Sequence, residues 1–267
     1  MDAEILSCPS LERRVMRGYA FSLAEPLINQ RMLYNKHLGL KKPVEQLLTE
    51  KDEKALKLKA QVEHALRMAR GCAELDCVYA FLPAEPQGDS IAVYSAENAA
   101  APSESFSFPR QSSGEKLCLA DFVARPAGGK RDSVGLFVCT AGAGILRRAA
   151  ELREQGEYVS SHMLNIIAIC LAEALAEAVH AELRRSWGLP DKGHGSPEDF
   201  FRKNYAGARF SFGYPACPGL ENQAALFRLL RPEEIGVSLT EGFMMAPEAS
   251  VSALVFHYQG ARYFEII

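Results

Sequence analysis

The chain has 267 residues, 48% of them hydrophobic and 24% charged, which suits one large domain or two small ones with a real core. A formal net charge of -3 gives no footprint for a polyanion and argues against nucleic acid as the main partner. The seven cysteines are odd in number, lack a Cys-x-x-Cys pair and fall partly in apolar runs, which predicts buried thiols in a reducing cytoplasm rather than a disulfide framework. Cys72 and Cys77 have no histidine nearby, so no zinc site is expected. The start, MDAEILSCPSLERR, has no apolar core of a secretory signal. The apolar stretch 166–178 carries Glu173 and Glu177, which predicts a core helix rather than a membrane span.

In chain order, Leu58, Val62, Ala65, Leu66 and Ala69 recur at helical spacing and predict a helix over 53–70, ended by Gly71. Strands are predicted over 77–82 and 90–94, joined by a turn with Pro83, Pro86, Gly88 and Asp89. Residues 99–114 are rich in Ala, Ser and Pro and read as a mobile surface loop. A second strand pair is expected over 117–124 and 133–140, with a hairpin turn at Gly129-Lys130. The longest helix is predicted over 155–185, stopping near Trp187-Gly188. Ser196-Pro197-Glu198-Asp199 is a helix start with a serine cap, a proline at the first position and acids in the first turn. A helix over 221–230 follows, and strands are expected over 250–256 and 261–266 around a turn at 258–260. Strands in hairpins and helices in blocks favour an α+β fold with an antiparallel sheet.

Few motifs carry chemistry. Thr140-Ala-Gly142-Ala-Gly144 follows a strand, but Arg147 stands at the third glycine position and no acid is placed for a ribose; it reads as a loop into a helix. The six histidines are scattered, and no triad or metal constellation supports an autonomous hydrolase; no catalytic residue is assigned. Glu173 and Glu177 lie one helical turn apart and read as the solvated edge of their helix, with paired-acid chemistry as the sharper alternative. Arg209-Phe-Ser-Phe-Gly213-Tyr214-Pro215-Ala216-Cys217-Pro218 is the most telling run. It sets a planar carboxylate-gripping fork ahead of a stiff glycine–aromatic–proline turn.

That run resembles the S-adenosylmethionine-binding motif of the activation domain of cobalamin-dependent methionine synthase. Cys118-Leu-Ala-Asp-Phe-Val123, Phe81-Leu-Pro-Ala84 with Gly88-Asp89, and Leu171-Ala-Glu173-Ala-Leu-Ala-Glu177 with His180 and Trp187-Gly188 resemble further blocks of that family in the same order. So do Leu239-Thr-Glu241 through Ser252, and Arg262-Tyr263-Phe264. The resemblance divides the chain into a divergent, helical N-terminal region over 1–75 and an activation-domain-like region over 76–267, expected to form one unit.

The resemblance implies a C-shaped α+β fold with a twisted antiparallel sheet and flanking helices. It implies a free-standing protein that binds S-adenosylmethionine and serves a separate cobalamin-dependent methionine synthase or another corrinoid protein. There it would support reductive methylation of cob(II)alamin with an electron from a flavodoxin-like donor, and would not turn over alone. Cobalamin would be met only through the partner. Arg209 would hold the ligand carboxylate, and Ser211, Gly213, Tyr214, Tyr263 and Phe264 would line the ligand; Glu173 and Glu241 would face the corrinoid or its protein. The chain departs from the family pattern at Lys203, Ala246, Glu248 and Ala253, and the family's aspartate for the ligand amino group has no assigned counterpart. A docking module that grips a corrinoid protein without the methyl donor is the alternative reading.

Overall fold

Nine consecutive residues, Asp132 to Thr140, are buried on both faces and form the strand around which the sheet is built. The computed structural model describes residues 5–6, 8–95, 100–189 and 205–266. In chain order the strands are β1 (Arg14–Met16), β2 (Asp76–Gln87), β3 (Ser90–Val93), β4 (Glu104–Ser107), β5 (Asp132–Thr140), β6 (Ala208–Phe210), β7 (Ser238–Leu239), β8 (Met245–Ala246) and β9 (Ser250–Phe256). The main sheet runs β4-β3-β2-β5-β9-β6, with β1 beside the first part of β2; β7 and β8 pair separately. Every pairing is antiparallel, as the hairpin pattern predicts.

Alternation along the central strands feeds two cores. After the short helices α1 (Phe21–Ala24) and α2 (Val44–Thr49) come α3 (Glu53–Arg70), α4 (Ala143–Glu154) and α5 (Tyr158–Ser186), and Tyr79, Phe81, Phe137, Cys139, Val251 and Val255 face these three. Val78, Leu82, Leu136, Val138, Leu254 and Phe256 face the opposite layer, with α6 (Asn222–Leu230) and a phenylalanine cluster. Residues of the N-terminal part, from Ala24 to Ala69, pack into the first core. By length and composition alone α5 could cross a membrane, but 67% of its most apolar stretch is buried inside the protein, which marks it as the core helix the sequence predicts.

Local signals set the ends of the elements. The Asp52 side chain accepts from the Ala55 N–H and starts α3, and Gly71 closes it. The Thr140–Gly144 motif is a loop into α4. A Cβ on Gly144 would stand 2.4 Å from the Cys72 carbonyl oxygen, so the glycine serves close packing, not a phosphate. The Ala127–Lys130 turn forms. The predicted helix over 155–185 begins at Tyr158 and is preceded by the separate α4. The Ser196 helix start lies outside the described residues.

Three expectations are corrected. Within 99–114, β4 pairs β3, because Phe106 and Phe108 alternate onto the core face and are 0% and 5% exposed. Residues 117–124 are no strand: Leu119–Phe122 is a 3-10 turn, held because Asp121 accepts from the Cys118 N–H and grips Arg110 with both oxygens. Residues 261–266 form no strand either; the 258–260 turn is present, and the segment beyond it packs by side chains.

A polar stripe runs along α5. Glu173, Glu177, His180 and Arg184 recur at helical spacing on one side. Arg184 is buried and stacks 3.8 Å from the centroid of Tyr205, and His180 meets the same ring edge-on at 5.1 Å. His180 is fully buried, and neither ring nitrogen has a hydrogen-bond partner among the described residues. Burial first, then Arg184 and Arg209, push its pKa well below the ordinary value.

Two outcomes follow from this packing. Phe106→Ala should cost about 3–5 kcal/mol in urea unfolding and exposed Ser105→Ala close to nothing, which marks β4 as core. His180 is protonated in the unfolded chain below pH about 6.5 but stays neutral when folded, so stability falls as the pH drops through that value. Its share of the slope approaches about 1.4 kcal/mol per pH unit, and urea titrations from pH 6.5 to 5 should show it vanish in His180→Gln.

Candidate functional site

Arg209 sits on β6, which among the described residues pairs with β9 alone, and its side chain reaches α5. There it meets two carboxylates: Arg209 Nη2 is 3.2 Å from Glu173 Oε2 and 3.5 Å from Glu177 Oε2. Glu177 is largely enclosed, at 13% side-chain exposure, whereas Glu173 is 46% exposed. Burial would lower the Arg209 pKa, but Glu177 and then Glu173 outweigh it and hold the guanidinium charged. Arg209 Nη1 and Glu177 Oε1 are buried without hydrogen-bond partners among the described residues. An unsatisfied donor and acceptor side by side are costly unless a ligand or rearrangement uses them.

This cluster forms the floor of a cavity of about 540 Å³, within the usual range for a small-molecule site. Its lining brings together Glu173, Arg209, Ser211, Tyr214, Tyr263 and Phe264, six residues singled out in the sequence. Tyr214 and Tyr263 are 59% and 50% exposed at its mouth. Phe210 anchors the far wall, with Tyr263 at 5.1 Å and Phe264 at 6.4 Å between centroids, and the Tyr263 hydroxyl donates to the Arg209 carbonyl. A smaller cavity of about 310 Å³ shares Asn29, Glu173, Glu177, Arg209 and Tyr214, so the ion-paired cluster is the partition between the two.

Two sequence-selected residues do not line the cavity. Gly213, at φ +86°, shapes the turn: its N–H donates to the Cys217 carbonyl, and the Cys217 N–H donates to Tyr214. That geometry points Tyr214 outward and puts Pro215 and Ala216 on the cavity wall. Glu241 lies exposed in the β7–β8 hairpin, away from the cavity. Asn29, Glu177 and Tyr205 line the site and were not selected. Glu177 had a signal, one turn after Glu173. Asn29 had none as a ligand residue; its side-chain oxygen accepts from the Met32 N–H and reads as a local cap. Among the described residues no cluster of His, Cys, Asp and Glu is arranged to hold a metal ion.

Comparison with known proteins identifies the family and the fold. The family model described as the vitamin B12 dependent methionine synthase activation domain matches residues 25–267, further toward the N-terminus than the resemblance visible from Cys77 onward. Methionine synthase of Mycobacterium tuberculosis (strain ATCC 25618 / H37Rv) is 32% identical over 99% of this chain, and that of Mycobacterium leprae (strain TN) is 35% identical over 71%. The chain spans only 24% and 17% of those two proteins. A crystal structure of the MetH reactivation domain bound to AdoHcy superposes with a TM-score of 0.88 at 27% identity, covering 98% of this chain and 82% of that one. With a match across nearly the whole described fold, the chain belongs to the family of the vitamin B12-dependent methionine synthase activation domain.

Proposed function

We propose that this chain binds S-adenosylmethionine in the 540 Å³ cavity and presents it to the corrinoid of a cobalamin-dependent methionine synthase, as its reactivation module. The observation that carries the reading is the enclosed Arg209, with an unused donor, on the floor of a cavity walled by Tyr214, Tyr263 and Phe264. A guanidinium fork suits the amino-acid carboxylate of the ligand, and aromatic faces suit a sulfonium cation or an adenine. The neighbour bound to AdoHcy, the demethylated form of that donor, supports the same ligand class. Ser211 and the Pro215–Ala216 wall would fix the ligand laterally.

Bound S-adenosylmethionine supplies an activated methyl group; the chain's own task is positioning. Tyr214 and Tyr263, exposed at the mouth, would aim the ligand outward at the partner's corrinoid. Glu173, half exposed beside them, and Glu241 on its hairpin would meet the partner. The electron would come from a flavodoxin-like donor in the cytoplasm, where the seven thiols stay reduced. Turnover would require the corrinoid enzyme.

Arg209→Ala should weaken S-adenosylmethionine binding by roughly 2 kcal/mol or more, about thirtyfold, in calorimetry; unchanged affinity removes Arg209 from the site. In reconstitution, the protein with S-adenosylmethionine and reduced flavodoxin should restore methylcobalamin absorbance to a methionine synthase lacking its own activation domain. Restoration without S-adenosylmethionine would leave docking alone as the function.

A further inference from the structure

Arg209 has one positive charge and two acids on the same nitrogen. Glu177, the more enclosed of the two, already balances it. Glu173 therefore leaves one negative charge in excess beside Arg209, which is the one cation among the described residues that line the cavity, and the exposed Glu265 adds a second, more solvated one to the lining. The field of Glu173 reaches the mouth: it is the leading cause, ahead of burial, that pushes the Tyr214 phenol up.

A ligand that places its own carboxylate on Arg209 adds another negative charge to this cluster. Its ammonium group cancels that one. The excess from Glu173 remains, and an unbalanced charge in a partly desolvated cavity is costly. A sulfonium supplies the missing positive charge; a thioether does not.

We infer that Glu173 makes the cavity selective for the cationic sulfonium donor over its neutral-sulfur product. The inference rests on the reading of this cavity as an S-adenosylmethionine site. It adds a means of product release, because loss of the methyl group removes the charge that holds the sulfur end in place. Glu173 is the residue to test, because its exposure lets it be changed without stranding Arg209, which keeps Glu177.

The test is calorimetric titration of the full chain and of Glu173→Gln with S-adenosylmethionine and with S-adenosylhomocysteine, at low and at high salt. For two unit charges several ångströms apart near a protein surface, the wild type should prefer the sulfonium by about tenfold or more at low salt. The preference should shrink as salt screens the half-exposed carboxylate. Glu173→Gln should bring the two ligands within about twofold, chiefly by weakening the sulfonium donor. Equal affinities in the wild type, or a preference that survives Glu173→Gln, would overturn the inference while leaving the ligand reading standing. A wild type that binds neither ligand would overturn both.

Discussion

The guanidinium of Arg209 imposes the condition that the rest of the site satisfies. An enclosed positive charge has to be met by opposite charge and by hydrogen-bond acceptors, and α5 supplies both from consecutive turns. That requirement explains why a helix otherwise devoted to the core carries an acidic edge, and why β6 must lie at the end of the sheet closest to it. It also explains the aromatic surroundings. Phe210 turns to the opposite core beside Arg209 on the same short strand, and its ring gives Tyr263 and Phe264 something to pack on.

Rigidity behind the cluster comes from the other end of α5. Trp187 donates from its indole nitrogen to Ser133 Oγ at 3.0 Å, and the neighbouring Asp132 takes His257 Nε2 at 2.6 Å and the Ala124 N–H at 2.7 Å. These bonds tie the helix terminus to the start of β5 and to the chain just after β9. A site made from a helix and an edge strand needs such a brace, because neither element fixes the other's register by backbone pairing. With it, the distance between Glu173 and Arg209 is a property of the sheet frame rather than of two mobile side chains.

Much of the frame was legible because its signals are local. The extent of α3 follows from the apolar period and Gly71, and β9 from an apolar run placed ahead of the turn at 258–260. The errors came where a local signal was misleading or absent. Serine and proline around Phe106 and Phe108 hid a short strand whose only strong cue is alternation of two rings. Leu119–Phe122 is apolar enough for a strand, but Asp121 finds a backbone donor three residues earlier, and the turn pairs its own backbone through Asp121 N–H to the Cys118 carbonyl and Val123 N–H to the Ala120 carbonyl. At the site, the arginine and the aromatic turn stood out because unusual residues are adjacent in sequence. Asn29 stays invisible because only the folded chain brings that turn against α5.

The segment over 261–266 pairs with no strand, yet Tyr263, Phe264 and Glu265 wall the cavity, opposite residues as early as Asn29. The strand next to the central one, β9, is also the last strand of the sheet in chain order. During synthesis, then, β5 waits for a neighbour that emerges from the ribosome more than a hundred residues later, with one flank of its apolar surface uncovered. The pocket closes only after residues 263–265 have followed. A nascent or clipped chain lacking those residues would have a nearly complete helical layer and no competent receptor, so ligand capture would report that translation has run through to residue 265 and the fold has closed.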